Sequence, residues 1–393
     1  MTASPTTPES QTPTKSSPKF VRKENTSAAK KTIKKKVAKK IETLKTIKLK
    51  GTNSCEDLID STLKSLGKSF AVEMMDATSE DSVPYYIPFK HVGLQAITGG
   101  VPGGMMTVIE GDSQCGKSFL LYELIVQCIL MGGYALLSDP ENALQPRFMK
   151  RVGLEGTRRF IYTNRETQLA RTFMMWRKFV TAIREKDKDS PILIGADSYP
   201  AMTIKLMVDE LDKKASAKGG GEKGNELTGY LQARKNAEFA QLLGEFIGFM
   251  SENKVALVFI NQLRTKMGVF FGDPTTTNAE TIFKYYSTLR IRGRLGKKIK
   301  ESAAKAKEGN ARQIGVRSNW ETIKNRNVEP FKKIETKIVY KTGVDKFSGL
   351  IELLDSEGKV SIGSDNDFLF NKKRYHIQDL ADFIVEHPEA LIL

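Results

Sequence analysis

Apolar residues along the chain gather into short unbroken runs, and between the runs they recur at helical spacing. Met106 to Glu110 (MTVIE), Tyr134 to Ser138 (YALLS), Ile192 to Ala196 (ILIGA) and Val255 to Ile260 (VALVFI) read as buried strands. The spacing predicts helices from Lys117, over about Gln168 to Arg184, and over about Arg234 to Met250. Ser287 to Gly293 and Lys333 to Tyr340 are again rich in strand formers. Apolar strands taking turns with helices imply an α/β fold with a mostly parallel sheet covered on both faces. Ligands of such sheets bind at the carboxyl ends of the strands. Ahead of this region, Cys55 to Leu66 (CEDLIDSTLKSL) has helical spacing, and Gly67 followed by SFAVEMM reads as a helix stop and a short strand.

Three stretches break the rhythm. The first is the N-terminal arm, residues 1–53. It is rich in Ser, Thr and Pro up to Ala29 and in Lys from Lys30 to Lys50. Met1 to Lys50 holds 14 Lys/Arg against 3 Asp/Glu, so most of the chain's net +16 sits there. Such a segment cannot bury enough apolar surface to order itself. An arm that binds nucleic-acid phosphates, an address signal and a plain solubilising tail all fit it. The second is Asp212 to Asn225 (DKKASAKGGGEKGN), polar, glycine-rich and expected to be flexible. The third is Asn261 to Glu280 (NQLRTKMGVFFGDPTTTNAE), long for a loop inside a domain. Met267, Phe270 and Phe271 are poor choices for a solvated linker, so something other than the core is expected to contact them.

At 393 residues the chain is long enough for one large domain or two to three ordinary ones. It has no run of about 18 apolar residues, so no membrane span is expected. The start lacks the apolar stretch of a secretory signal, and Cys55, Cys115 and Cys128 stand at unrelated spacings. These features suit a reducing compartment.

The first strand runs into GDSQCGKS, the stretch Gly111, Asp112, Ser113, Gln114, Cys115, Gly116, Lys117 and Ser118. It fits G-x-x-x-x-G-K-[ST] between a strand and an apolar helix, where backbone N–H groups and the helix N-terminus converge on phosphate oxygens. Lys117 would reach the β and γ phosphates, and the Ser118 hydroxyl would ligate Mg²⁺. Cys115 takes a free position of the loop, where a mere small residue is the reading preferred to redox control. The helix N-terminus and the nearby lysine are expected to lower its pKa, which would let alkylation block the site. Asp197, ending ILIGA, can hold the magnesium through water, or simply cap the next turn. Asp139 and Glu141 both lie at the tip of the second strand (SDPENALQP). Either could orient and deprotonate the attacking water if that strand neighbours the first.

GGVPGGMMTVIEGDSQCGKS, SDPENALQP, ILIGADS, FINQLRTKMGVFFGDPTTT and KNRNVEPFK, in that order, resemble the RecA recombinases, bacterial and phage members included. The resemblance runs from roughly Leu66 to the C-terminus, and the FINQ segment with its loop is not a general ATPase feature. It implies a RecA-type ATPase core over 85–342. Residues 54–84 would form a helix and strand that dock on the next protomer, and 343–393 a small C-terminal α/β domain. It selects Glu141 as the catalytic carboxylate. It puts Phe148 on the adenine, so that ATP with Mg²⁺ is the expected cofactor pair, and makes Gln262 the sensor of the γ-phosphate.

By the same resemblance, Asn261 to Glu280 binds single-stranded DNA. Arg264 and Lys266 would lie on phosphates, and Met267, Phe270 and Phe271 where base stacking is interrupted. A first DNA loop would precede the helix at Arg234, making Arg234 and Lys235 candidate phosphate contacts. Lys324 and Arg326 would reach the γ-phosphate of a neighbouring protomer, although a solvated basic turn would look the same. Tyr285 would relay nucleotide state across the interface, or serve as a core aromatic. The implied activity is ATP-dependent pairing and strand exchange by a helical filament on single-stranded DNA, with homologous duplex as second substrate. Single-strand-binding and mediator proteins are the expected accessories, inside a bacterial or phage-infected cell. A RecA-fold helicase, a mediator that loads another recombinase, and a DNA-coating protein are the competing readings. Unwinding without pairing, failure to form filaments alone, and full activity without hydrolysis would mark them. Residues 295–315 are longer and more basic than the family's hairpin and receive no role.

Overall fold

The computed structural model describes residues 83–145, 149–150, 152–216, 224–265, 275–301, 311–364 and 366–392, all within the unit Asp81–Leu393. The elements begin with β1 (Tyr86–Ile87), α1 (Val92–Thr98), β2 (Val101–Pro102), β3 (Met106–Gly111), α2 (Lys117–Leu130), β4 (Tyr134–Ser138), β5 (Phe160–Thr163), α3 (Leu169–Arg184) and β6 (Ile192–Ala196). Then follow α4 (Lys205–Ser216), α5 (Gly224–Glu252), β7 (Val255–Thr265), β8 (Thr275–Thr277), α6 (Glu280–Tyr286), β9 (Leu289–Lys300), β10 (Gln313–Asn325), β11 (Lys333–Val339) and β12 (Gly343–Val344). Finally come α7 (Leu350–Ser356), β13 (Ser361–Ile362), β14 (Asp367–Phe370), β15 (Lys373–His376) and α8 (Leu380–Glu386).

The main sheet runs β12-β11-β10-β9-β3-β7-β6-β4-β5, with β8 paired to β7. From β9 to β5 the neighbours are parallel, and β10, β11 and β12 extend it antiparallel. All residues of β3 and β6 are buried, so those strands show as apolar runs and not as alternation. Leu120, Leu124 and Leu94 pack on one face. Trp176, Phe239, Phe246 and Phe259 form an aromatic layer on the other. Glu110, inside the central strand, is neutralised by Arg290 and Arg292 of β9, each at 2.7 Å; this ties β9 to β3. A three-stranded sheet, β13-β14-β15, completes the C-terminal region.

Several expectations change here. The second apolar strand does not neighbour the first, because β7 and β6 lie between β3 and β4; the loop after β4 must reach the site from two strands away. The third helix begins at Gly224 and not near Arg234, its early turns being too polar to show an apolar stripe. Part of the expected flexible stretch is therefore helical: α4 extends to Ser216 and α5 starts at Gly224, with 217–223 outside the described residues. β10 was not anticipated as a strand, because its buried positions alternate Val316, Ser318, Trp320 and Thr322, and inward Ser and Thr erase the hydropathy signal. The long stretch after β7 is regular at both ends, since Leu263, Arg264 and Thr265 pair antiparallel with Thr277, Thr276 and Thr275. The boundary placed at 342/343 falls within the sheet, as Gly343 and Val344 pair back on β11.

Candidate nucleotide and nucleic-acid site

The loop Gly111–Ser118 leaves the carboxyl end of β3 and opens α2. Its two fixed glycines are needed for space. A Cβ on Gly111 would run into the Gly293 carbonyl of β9, and one on Gly116, where φ is 99°, into the Ile338 side chain of β11. Asp112 accepts the Leu295 N–H at 3.0 Å, pinning the loop to β9. Ser113 and Gln114 are exposed. Lys117 is folded inward, its ammonium donating to the carbonyls of Gly111 at 3.1 Å and Asp112 at 2.6 Å. Cys115 is 0% exposed, and burial pushes its thiol up to about 11, outweighing Lys117. The expected lowering of its pKa is thus corrected, and the plain small-residue reading fits a buried packing group.

Asp197 follows the tip of β6 and is 2% exposed. Burial raises its pKa to about 6, with the charges of Glu141 and Asp139 adding to the rise, while a hydrogen bond from Ser118 opposes it. The structure therefore brings together the two side chains expected to serve magnesium. Their oxygens are hard donors, and a cation beside them would relieve the strain of a buried carboxylate. Among the described residues no group of three or more His, Cys, Asp or Glu could hold a metal ion. The remaining ligands would have to be nucleotide oxygens and water.

Asp139 and Glu141 have different surroundings. Asp139 is 0% exposed and accepts the Leu144 N–H at 2.9 Å and the Tyr162 hydroxyl at 3.1 Å, which makes it a brace for the turn. Glu141 is exposed; its Oε1 accepts from the Ser198 hydroxyl and from Gln262 Nε2 at 3.2 Å. Gln262 pairs with Gly111 in the β3–β7 register, so the glutamine stands between the phosphate loop and the glutamate. Sequence reasoning gave Ser198 no role. The available signal was its place directly after Asp197 at a strand tip.

Past Gln262, the two arms of a β-ribbon frame residues 266–274. Asn261 ties its base by donating to the Asn278 carbonyl at 2.8 Å. Arg264 is exposed on the ribbon and Arg234 on α5. Lys235 is not a surface group: it is 2% exposed, with its ammonium on the carbonyls of Tyr199 and Pro200. Its proposed phosphate contact is withdrawn, because those donors are spent inside. Phe148, Lys266, Met267, Phe270 and Phe271 lie outside the described residues.

A second group of expected residues lies elsewhere. Lys324 pairs with Arg290, and Arg290 with Val108, three positions before Gly111. That sets the group about 10 Å back along the sheet from its own phosphate loop, at 3.3 Å per residue. Lys324 donates to the Lys284 carbonyl at 2.6 Å, and Arg326 to the Tyr285 carbonyl at 3.5 Å, both at the C-terminal end of α6. Burial, reinforced by Arg326, Arg290 and Lys284, brings the Lys324 pKa down to about 8. Tyr285 is 69% exposed and is therefore no core aromatic.

The RecA N-terminal domain family matches residues 203–345. Protein RecA of Aquifex aeolicus is 29% identical over 313 residues, 78% of this chain and 80% of that protein. The Ruminococcus albus protein is 26% identical over 332 residues, covering 84% and 75% of the two chains. Protein RecA of Thermus aquaticus is 27% identical over 308 residues, 78% and 82%. A phosphate-type loop on a central parallel strand, carboxylates at strand tips, a glutamine ahead of a ribbon and these likenesses over most of the chain point the same way: the chain is similar to the RecA proteins.

Proposed function

We propose that this protein is an ATP-dependent homologous recombinase that assembles as a helical filament on single-stranded DNA and exchanges strands with a homologous duplex. The observation that carries the reading is the 3.2 Å hydrogen bond from Gln262 to Glu141. One side chain thereby belongs both to the hydrolytic centre and to the strand that leads into residues 266–274.

In this reading Lys117 exchanges its two loop carbonyls for phosphate oxygens, and the loop N–H groups cradle the same phosphates. Ser118 and Asp197 would hold Mg²⁺, which when bound neutralises phosphate charge. Glu141 orients and deprotonates water, with Ser198 and Gln262 aiming its carboxylate. Gln262 swings toward the γ-phosphate, which re-aims the ribbon. Arg264, with Lys266, Met267, Phe270 and Phe271 from the sequence, then grips the backbone and interrupted stacks of a single strand. Phosphate contacts leave the bases free to test a duplex.

Lys324 and Arg326 cannot serve their own phosphate loop from their end of the sheet, which supports a role on a neighbour's nucleotide, where developing charge is stabilised most in the transition state. A 450 Å³ apolar groove beside the edge strand β5, with Ile161 and Phe179 in its wall and Arg158, Arg159 and Lys178 on its rim, supports docking of residues 54–84 of a second copy. That segment opens with Glu56, Asp57 and Asp60 on an apolar helix pattern. Such a head-to-tail contact does not close and yields a filament.

Electron microscopy of the full chain on single-stranded DNA tests the reading, alongside a pairing assay with homologous duplex. Regular helical filaments with ATP, their loss without it, and joint molecules are expected. A protein that stays monomeric and never joins complementary strands would overturn it. Among the described residues no helix is long and apolar enough to cross a membrane.

A further inference from the structure

Lys235 is a buried cation that the proposed catalytic cycle does not use. Its ammonium donates to two consecutive carbonyls, Tyr199 at 3.1 Å and Pro200 at 3.0 Å, and sits 4.6 Å over the Tyr199 ring. Buried charges are ordinarily compensated by a paired charge or by polar groups aimed at them; here carbonyl dipoles and an aromatic face do it. The neighbouring Asn236 accepts from the Tyr199 hydroxyl at 2.8 Å. The turn at Tyr199–Ala201 is therefore clamped to α5 from two sides.

What is clamped matters. In the four residues from Asp197 to Pro200 lie the carboxylate expected to serve magnesium, the Ser198 hydroxyl on Glu141, and both carbonyls held by Lys235. On the other side, Arg234 is exposed on α5 one position before Lys235; burial brings the Lys235 pKa down to about 8, and the charge of Arg264, on the ribbon, adds its push against the ammonium. A DNA phosphate on Arg264 would cancel that push. Tyr199 also packs against Phe239 of α5 and Phe283 of α6, so movement at one end of this contact is carried to the other.

We propose that Lys235 is a positioning residue for ATP hydrolysis: it fixes the Asp197–Pro200 segment, and through Ser198 the aim of Glu141, in response to DNA held at the exposed Arg234 and Arg264. This rests on the recombinase reading above.

The test uses full-length protein with ATP and single-stranded oligonucleotide. Lys235→Met should keep the nucleotide KM and the salt dependence of DNA binding while DNA-stimulated kcat falls by roughly 10- to 100-fold, the scale of a misplaced catalytic group. Lys235→Arg should recover part of that loss. Ser198→Ala breaks the same chain at its far end and serves where Lys235→Met folds poorly; it should lower kcat comparably, and the double variant should be no worse than the poorer single one. Undiminished DNA-stimulated kcat in Lys235→Met, or additive losses in the double variant, would overturn the proposal. So would a salt slope reduced by about 0.7, the mark of one lost phosphate contact to a single strand. Native protein that hydrolyses ATP without any response to DNA would instead remove the recombinase reading itself, and the inference with it.

Discussion

The phosphate loop and the basic patch at Lys324–Arg326 are both cationic, yet they are built in opposite ways. At the loop, Lys117 is 8% exposed and satisfied by carbonyls of its own loop, while Asp197 accepts from the Ser118 hydroxyl of that loop and Glu141 from the Ser198 hydroxyl after β6. Every group there is placed by the protomer's own sheet. At the patch, Tyr285 and Arg326 are exposed and the cations rest on the last carbonyls of a short helix, where a positive charge is mildly favoured. In the proposed reading the first region is preorganised and the second would be completed by a partner, so that hydrolysis would depend on assembly.

Mixing protomers breaks this comparison most directly. Lys117→Ala alone and Lys324→Ala/Arg326→Ala alone should each lose about a thousandfold or more of DNA-stimulated hydrolysis, the scale of a missing phosphate-clamping cation. An equal mixture should recover about a quarter of native turnover, because that share of head-to-tail interfaces joins an intact loop to an intact patch. No recovery would mean that loop and patch do not meet across an interface.

A smaller effect should come from pH. Asp197 has a folded pKa of about 6, raised above the usual carboxylate value near 3.9. Its stabilising contribution is complete below that usual value and is lost as pH rises through 6. The nucleotide-free protein at neutral pH therefore carries a penalty of the order of 3 kcal/mol. Magnesium with nucleotide relieves it, so the rise in Tm on adding both should be several degrees larger at pH 7.5 than at pH 5. An equal rise at both would separate Asp197 from the metal site.

The smallest effect concerns Cys115. With its thiol near 11, the thiolate at neutral pH is about a hundredfold scarcer than for an ordinary cysteine. Iodoacetamide should leave nucleotide binding intact over times that label an exposed thiol, as mass spectrometry with a binding assay would show. Rapid loss of binding would mean that the loop opens far more than its packing implies.

Much of this was legible in the linear pattern. The loop at Gly111–Ser118 needed only glycines, a lysine and a hydroxyl between a strand and a helix, and Asp197 needed only its place after an apolar run. Where sequence reasoning went astray, burial was responsible. A helix N-terminus argued for a lowered Cys115 pKa, but desolvation between Gly111 and Gly293 outweighs it. A basic pair at the start of a helical stripe argued for two phosphate contacts, but only Arg234 faces outward. β10 was hidden because Ser318 and Thr322 face the interior beside Trp320.

The amino-acid order by itself determined the apolar strands β3, β4, β6 and the start of β7, where the phosphate loop lies and which of their tips carry carboxylates, because these depend on near neighbours and on local periodicity. Only the tertiary structure decided that β7 and β6 stand between β3 and β4, that Asp139 braces a turn while Glu141 meets Gln262, and that Lys235 points inward beneath Tyr199. Those outcomes depend on strand order and desolvation, which are set by residues scores of positions apart and leave no trace in any short window of the chain.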